Sequence, residues 1–212
     1  AAASGATGAT TAEPMAVDGA ADAVVSSSDP AVLALVAEVP RLVKAASRQL
    51  GQRAPRTRAA AFNLLHLLAT SLPGTLSDSI PAILPGIERA MKESAASNTL
   101  RLEALGLLLL LLSTHPRATQ GHVSTLLPTV LRLVGDRYYK ITADALRVTA
   151  ELVKALRPDG GGGTLAIGAA DVANLVRAVR ARLEAQDQDQ EVKECAIECA
   201  ALVVRLLGDH FA

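Results

Sequence analysis

The side chains of this 212-residue chain that most readily do chemistry are two cysteines and four histidines. Cys195 and Cys199 lie four positions apart, on one face of a predicted helix, where two thiolates could hold a metal ion. A structural zinc site needs two further ligands at suitable spacing, and the sequence offers none beside this pair. Small buried thiols are common in helical cores, so we predict no metal and no cofactor.

The histidines occur singly, without an HExxH motif or a paired acid, and neither GxSxG nor a P-loop is present. Four consecutive glycines, Gly160 to Gly163, lack the preceding strand and the motif of a phosphate-binding loop, and they indicate a flexible loop. We therefore predict that the chain is not an enzyme and takes no small-molecule substrate. The histidines are His66, His115, His122 and His210.

Composition predicts an all-α fold. Alanine supplies 41 residues and leucine 33, and both are strong helix formers. Only 2% of the residues are aromatic, whereas an all-β domain normally draws on β-branched and aromatic side chains. The longest apolar run, Ala104 to Leu112, is nine residues, far short of the roughly 20 that span a bilayer. We expect no membrane segment.

The net charge of zero hides an asymmetry along the chain. Residues 1–29 carry four acids and no base, so the remainder has 21 basic against 17 acidic residues, a net charge of +4. This is too mild for nucleic-acid binding, which needs a strongly basic face. The few cysteines fit a reducing intracellular compartment.

Four helical segments repeat a small residue followed by a large apolar one. The pairs recur at spacings of 43, 41 and 51 residues, and the longest interval contains the glycine loop. Such a period is the signature of a repeat architecture. The pairs are Ala61-Phe62, Ala104-Leu105, Ala145-Leu146 and Ala196-Ile197.

An upstream helix in three of these units carries a proline, at Pro40, Pro85 and Pro128, and Val179 takes that place in the fourth. A proline that recurs at one position of a period predicts a built-in bend rather than a helix end. Two helices per unit, with a proline, an acid and a base in order, match the HEAT repeat. We predict an α-solenoid of about four HEAT-type hairpins, eight helices in all, with helix starts capped by Ser97, Thr119 and Asp189 and stops at Gly51, Gly135 and Gly208.

The predicted domain map has two parts. Residues 1–29 form a disordered tail rich in Ala, Gly and Ser, and residues 30–212 form the repeat array. The units cover about 30–74, 75–116, 117–158 and 169–212, with the glycine loop at 159–168. Neither end carries a polar capping repeat, so the first helix at Ala31 and the last near Phe211 should expose apolar flanks.

In α-solenoids the second helices usually line the concave face that binds partners. Aligning the four units gives three columns of residues on one stripe of each second helix, and we name this the inner stripe. The stripe carries charged residues in units three and four. The columns are Asn63, Gly106, Arg147, Glu198; Leu67, Leu110, Glu151, Leu202; and Thr70, Ser113, Lys154, Arg205.

Two features add candidate contacts. Six consecutive leucines from Leu107 to Leu112 favour a helix buried on most sides, and the alternative is an apolar docking spot centred on Leu110. Two of the four aromatic residues, Tyr138 and Tyr139, lie at a turn, where they are either a contact anchor or one packed ring beside one half-exposed ring. The predicted partner contacts are Arg101, Leu110, Tyr138, Tyr139, Lys140, Arg147, Glu151, Lys154, Lys193, Glu198 and Arg205.

Four stretches of the repeat region carry a resemblance to a known family: Arg56 to Leu76, Ile80 to Met91, Gly135 to Pro158 and Asp187 to Asp209. The strings YYKIT and DQEVKE carry it most strongly. In this order the stretches resemble the cullin-associated NEDD8-dissociated proteins, and the resemblance covers about residues 30–212. The tail and the Gly160–Gly163 insertion depart from the family.

The resemblance implies a non-catalytic segment of a long solenoid. Members of that family wrap cullin–RING scaffolds that lack NEDD8 and help to exchange their substrate-receptor modules. We expect a cytoplasmic and nuclear protein that binds neither nucleic acid nor membranes. The alternative is a HEAT scaffold of another pathway, a transport receptor or a phosphatase scaffold, although transport receptors tend to be strongly acidic.

Overall fold

The computed structural model describes residues 29–93, 97–156, 167–186 and 189–208. Within these ranges the chain is helical and contains no strand, which confirms the predicted all-α class. The predicted tail up to residue 28, most of the glycine loop, and Phe211 lie outside the described residues. The helices are α1 (Pro30–Leu50), α2 (Pro55–Ser71), α3 (Ile80–Lys92), α4 (Asn98–Thr114), α5 (Pro116–Gln120), α6 (Val123–Val134), α7 (Tyr139–Leu156), α8 (Ala169–Glu184) and α9 (Gln190–Leu207), with a 3₁₀ turn at Ser77–Ser79 before α3.

The helices pack as hairpins in two layers. Within each unit the first helix contacts the second: α1 with α2, α3 with α4, α6 with α7, and α8 with α9. The first helices also contact one another in the order α1, α3, α6, α8, and the second helices in the order α2, α4, α7, α9. Each unit thus packs against its neighbours in sequence, which is the arrangement of an α-solenoid.

Leucine and alanine build most of the core between the layers, because closely stacked helices leave little room for rings. Leu65, Leu105 and Leu146 are fully buried, and Phe62 is the one buried phenylalanine among the described residues. Burying each such side chain stabilises the fold by about 1.5–3 kcal/mol. Helices α1 and α3 approach closely at Gly86 of α3, where an added Cβ would lie 2.5 Å from the Leu50 side chain of α1.

The helix caps and stops predicted from the sequence are observed with one exception. The Ser97 and Asp189 side chains accept hydrogen bonds from Leu100 N and Glu191 N, as predicted. Asp29, the last residue of the predicted tail, caps α1 in the same way. The three predicted stops, Gly51, Gly135 and Gly208, lie at the ends of α1, α6 and α9.

The predicted cap at Thr119 is wrong. Thr119 is buried within the short helix α5, where its hydroxyl donates to the carbonyl of His115 at 2.9 Å, and α6 begins only after His122. Pro116 starts the extra helix because proline suits the first helical position. The described residues therefore form nine α-helices rather than the predicted eight.

The recurring prolines lie inside helices as predicted. Pro40, Pro85 and Pro128 fall within α1, α3 and α6, and all three are exposed. A proline on the solvent side of a helix removes a hydrogen bond that water can replace, so it bends the helix at low cost. The first helix of units one, two and three thus carries a proline at the equivalent position.

Candidate protein-interaction surface

None of the twelve positions of the inner stripe is fully buried. The helices that carry them, α2, α4, α7 and α9, lie side by side in the second layer. The third column is exposed in every unit, at Thr70, Ser113, Lys154 and Arg205. The stripe is therefore a continuous surface that crosses all four units.

Arg147 anchors the charged half of the inner stripe. Its Nη1 donates to Asp144 Oδ1 of the same helix at 2.8 Å, and its Nη2 donates to Glu191 Oε1 of α9 at 2.6 Å. The hydrogen bond to Glu191 raises the pKa of Arg147 above its ordinary value, although partial burial opposes the shift. One guanidinium thus joins units three and four and keeps a fixed position on the surface.

The other charges of this half are more accessible. Lys154 Nζ donates to Glu151 Oε1 at 2.6 Å along α7, which orders both side chains at the surface. Glu198 and Arg205 of α9 are exposed, and Lys193 is half-buried. Positive and negative groups alternate along the two helices, a pattern that suits a partner with charges of both signs.

The leucine run of α4 belongs mainly to the core. Leu107, Leu108, Leu111 and Leu112 are buried, and Leu110 is half-buried and packs against the core. This distribution favours the interpretation of a helix enclosed on most sides. Leu110 still reaches the surface in the second column of the stripe, so its part in partner binding stays a prediction.

The tyrosine pair marks the start of α7. The rings of Tyr138 and Tyr139 meet edge to face with centroids 5.5 Å apart, and Lys140 Nζ lies 5.9 Å from the Tyr139 ring centroid. Tyr138 packs against the core while Tyr139 remains exposed. One ring is therefore structural, and the other, with Lys140, is available to a partner.

Arg101 is held by the fold. Its Nη1 donates to Asp136 Oδ2 at 3.4 Å, and its Nη2 donates to the carbonyl of Glu93 at 3.1 Å. The side chain is mostly buried, so its main role is to join unit two to unit three. It remains a weaker candidate for partner contact than the exposed charges of α7 and α9.

Sequence reasoning missed two charged groups that position the surface. Glu93 accepts a hydrogen bond from Arg58 Nη1 at 2.6 Å, and Glu191 accepts the one from Arg147. The repeat period could have found Glu93, because it precedes Asp136 by the same 43 residues that separate Ala61 from Ala104. Nothing in the sequence pairs Glu191 with Arg147, since that contact depends on how α9 packs against α7.

The cysteines lie in the core rather than in a metal site. Cys195 and Cys199 are buried, and burial raises the pKa of both thiols, to about 12 for Cys199. In the part of the chain that the structure describes, no cluster of three or more His, Cys, Asp or Glu side chains could hold a metal ion. Over the same residues, no helix has both the length and the hydropathy needed to cross a bilayer.

A cleft of about 440 Å³ lies along one side of α3. Pro85, Arg89 and Glu93 line it together with Glu88 and Lys92, so its charges are mixed and paired in part. A cleft formed by one helix face lacks the convergent polar groups of a small-molecule site.

Comparison with known proteins identifies relatives along most of the chain. It is 42% identical over 174 residues to cullin-associated NEDD8-dissociated protein 1 of Arabidopsis thaliana, which covers 82% of this chain and 14% of that protein. It is 43% identical over 171 residues to cullin-associated NEDD8-dissociated protein 2 of Mus musculus, covering 80% of this chain and 14% of that protein. The chain thus spans about one seventh of the length of these relatives.

A solved structure supports the fold independently. A designed armadillo repeat protein in complex with the peptide (KR)4 superposes with a TM-score of 0.59 at 17% identity, over 79% of this chain and 64% of that one. The family model described as "CAND1-like, TPR repeats" matches residues 74–200, more than half of the chain. The chain therefore belongs to the CAND1-like family of helical-repeat proteins.

Proposed function

We propose that this chain is a non-catalytic protein–protein interaction scaffold, a segment of a cullin-binding solenoid. The observation that carries the proposal is the inner stripe, a surface accessible in all four units of a chain whose relatives are named cullin-associated. The stripe presents ordered charges rather than a pocket, which suits the flat, extended contact of two proteins.

The charges of α7 and α9 are the part of the stripe most fit for recognition. Arg147 is fixed by Asp144 and Glu191, and Lys154 is paired with Glu151, so less side-chain freedom is lost when a partner binds. Lys154 and Arg205 are exposed on neighbouring helices of one layer. These groups would select a partner by charge complementarity, while the remaining contact supplies area and shape.

The partner we propose is a cullin–RING scaffold that lacks NEDD8, and the role is regulation of ligase assembly and of receptor exchange. A stable interface buries on the order of 1,600 Å². A solenoid reaches such an area by adding contacts from several units, and it excludes competing proteins by occupying the same surface. We propose that the protein acts in the cytoplasm and the nucleus.

The test compares two charge-reversal variants of the chain in binding to an immobilised, unmodified cullin. Lys154→Glu/Arg205→Glu reverses two exposed bases of the second layer, and Arg41→Glu/Arg177→Glu reverses two exposed bases of the first layer. Both variants change the net charge equally, so a difference in affinity between them cannot come from net charge alone. We expect the first variant to lose at least about tenfold in affinity, which corresponds to about 1.4 kcal/mol, and the second to bind like the unaltered chain. Equal losses in both variants would remove the inner stripe from the proposal.

A HEAT scaffold of another pathway is the second candidate, because the inner stripe alone does not define its partner. A near-neutral repeat region argues against a transport receptor, since that class tends to be strongly acidic. Cullin binding by the chain that is indifferent to NEDD8 conjugation would favour this second candidate.

A further inference from the structure

The basic side chains of units one to three concentrate at one long edge of the solenoid. At this edge each first helix ends and each second helix begins, and the corresponding segments are residues 43–58, 88–101 and 131–142. Together these segments contain eleven bases and three acids. Nine of the bases are exposed, and we name these nine the basic edge. They are Lys44, Arg48, Arg53, Arg56, Arg89, Lys92, Arg132, Arg137 and Lys140.

The three acids of these segments do not neutralise the basic edge. Each acid is bonded to one base, and two of those bases are mostly buried and lie outside the basic edge. Apart from Lys92, the bases of the basic edge make no ion pair with the described residues, so their charge remains available at the surface. The pairs are Glu93 with Arg58, Glu88 with Lys92 and Asp136 with Arg101.

The opposite edge and the fourth unit lack this surplus of positive charge. Where unit one passes to unit two, residues 72–79 carry Asp78 as their one charged residue, and where unit two passes to unit three, residues 115–122 carry Arg117 and two histidines. In unit four the segment that corresponds to the basic edge, residues 182–193, has two bases and four acids in its sequence. The positive charge is therefore concentrated on one edge of three consecutive units.

Contacts between units place the bases in one continuous row. Arg132 of α6 donates from Nη2 to the carbonyl of Met91, near the end of α3, at 2.9 Å. Arg89 of α3 likewise reaches the end of α1, where its Nη1 lies 3.9 Å from the position of a Cβ added to Gly51. Both arginines follow the helix proline by four residues, and each side chain extends from its own unit to the preceding one. The row therefore crosses all three units.

The basic edge stays open when further repeats are added to the array. A preceding or following repeat stacks against the sides of the terminal helices, whereas the basic edge consists of helix ends and the loops that join them. Units two and three already have a neighbour on each side, and they still expose Arg89, Lys92, Arg132, Arg137 and Lys140. The exposure of these bases therefore does not depend on where the array ends.

The chemistry of the basic edge fits carboxylates of a protein better than a nucleic acid. Six of the nine bases are arginines, whose planar guanidinium binds a carboxylate through two parallel hydrogen bonds. A nucleic-acid backbone presents a continuous row of phosphates, which the interspersed Glu88 and Glu93 repel. Single strands also need several aromatic rings for base stacking, and Tyr139 is the one exposed ring among the described residues of this edge.

The spacing of the units determines the spacing of the ligand's charges. Neighbouring helices of one layer pack about 8–10 Å apart. A polyproline II segment has three residues per turn and rises about 3.1 Å per residue, so every third side chain lies on the same side at intervals of about 9 Å. Carboxylates at every third residue can therefore meet the bases of successive units.

We propose that the basic edge binds an extended acidic segment of a partner protein, in the polyproline II conformation, in which carboxylates recur at every third residue. The segment lies across units one to three, and the acidic edge of unit four limits its extent. The inference is independent of the cullin proposal, because no residue of the basic edge belongs to the inner stripe.

Fluorescence anisotropy of a labelled peptide titrated with the full chain tests the proposal. The peptide consists of four Glu-Pro-Pro repeats, which hold the polyproline II conformation and span about 37 Å. We expect saturable binding that weakens as salt is added. A second peptide of the same composition, with its glutamates contiguous, should bind at least about threefold more weakly, because it cannot place a carboxylate at each unit. Equal affinities for the two peptides would overturn the proposal.

Two charge-reversal variants locate the binding site. Arg89→Glu/Arg137→Glu reverses one exposed base in each of units two and three, and should lower the affinity for the repeat peptide at least about tenfold. Arg117→Glu/Arg177→Glu changes the net charge equally at exposed positions outside the basic edge, and should bind like the unaltered chain. Equal losses in the two variants would contradict the assignment of the site.

Far-UV circular dichroism checks that each variant remains helical. If Arg89→Glu/Arg137→Glu loses helicity, Arg89→Gln/Arg137→Gln replaces it, because this variant removes the two positive charges without adding negative ones. We expect it to lower the affinity at least about threefold. An unchanged affinity of a folded glutamine variant would overturn the proposal.

Two further measurements distinguish the proposed ligand from other occupants. A single-stranded DNA oligonucleotide of matching length should bind more weakly than the repeat peptide, and tighter binding would overturn the proposal in favour of a nucleic-acid surface. Glu13→Gln/Asp18→Asn/Asp22→Asn removes three acids that precede the helices, and should leave the peptide affinity unchanged. A rise of at least about tenfold would mean that this chain's own acidic segment occupies the basic edge, and would also overturn the proposal.

Discussion

Arg101 of α4 donates to Asp136, the acid between α6 and α7, at 3.4 Å, and thereby ties the second unit to the third. Arg58 of α2 makes the same connection from the first unit to the second through Glu93, at 2.6 Å. Both pairs are separated by 35 residues. In unit three Thr142 replaces the arginine, and its hydroxyl donates to the backbone carbonyl of Asp136 instead.

The Arg58–Glu93 pair should contribute measurably to stability. The Arg58 side chain is 6% exposed, and its Nε and Nη2 have no other hydrogen-bond partner among the described residues. Glu93→Gln leaves this buried guanidinium without its charged partner, but Glu93 is itself 38% exposed, so we expect a loss of about 1–2 kcal/mol in the free energy of unfolding. Urea denaturation followed by circular dichroism measures it. Glu38→Gln, which removes an exposed partner of Arg41, should change stability by less than about 0.5 kcal/mol, and equal losses would contradict a special role for Arg58.

Replacing either of two helical glycines by alanine should change the stability of the protein in opposite directions. Gly86→Ala places a Cβ 2.5 Å from Leu50 Cδ1 and 2.8 Å from Leu50 Cβ, so α1 and α3 must separate, and we expect a loss of about 1–3 kcal/mol. Gly106→Ala meets no atom within 4 Å and should stabilise α4 by about 0.5–1 kcal/mol. Thermal unfolding of both variants checks the pair. A stabilised Gly86→Ala variant would mean that the two helices do not approach so closely.

Arg147 and Glu191 should show energetic coupling between units three and four. Each side chain is about two-fifths exposed, so we expect a coupling of about 0.5–1 kcal/mol that weakens as salt is added. A double-mutant cycle with Arg147→Gln and Glu191→Gln, measured by urea denaturation at low and high ionic strength, gives this value. Additive effects of the two substitutions at low salt would contradict the contact.

The Cys199 thiol should be inert in the folded protein. Burial raises its pKa from 9.0 to about 12, so at a given neutral or mildly alkaline pH the thiolate is about a thousandfold rarer than in the unfolded chain. A disulfide reagent such as Ellman's reagent should therefore modify it rapidly only in denaturant. A fast reaction of Cys199 in the native Cys195→Ala variant would contradict the buried position.

The same shift makes stability depend on pH. Because the folded pKa lies above the unfolded one, the thiol contributes its full stabilisation below about pH 9 and loses it as the pH rises toward 12. Cys199→Ala should therefore flatten the decline of stability over this interval. Denaturation midpoints at several alkaline pH values measure the difference between the two slopes.

Much of the architecture could be predicted from the sequence, because the same residue pattern recurs in several units. The spacing of the Ala61-Phe62 type pairs fixed the period, and the prolines at Pro40, Pro85 and Pro128 fixed the first helices. The extra helix α5 was missed because Pro73, the equivalent of Pro116 one period earlier, is followed by Gly74 and lies in a turn, so the repeat pattern does not predict a helix there. A helix that occurs in only one unit must be predicted from local helix propensities, which are weak.

The candidate surface was predicted less completely. The alignment identified the accessible stripe, since periodicity determines which side of a helix faces outward. It did not reveal that Arg101 is enclosed or that Arg147 bonds to Glu191, because those contacts join residues of different units. Exposed apolar residues were expected on the last helix, and Ile197 and Val204 of α9 are exposed, although their equivalents in the other units are buried.

The most direct test of the central proposal is the affinity of this chain for a cullin with and without conjugated NEDD8, measured by titration under identical salt conditions. We predict saturable binding to the unmodified cullin and a loss of at least about tenfold on NEDD8 conjugation. Equal affinities for the two forms, or no binding to either, would contradict the proposed role as part of a solenoid that recognises cullins lacking NEDD8.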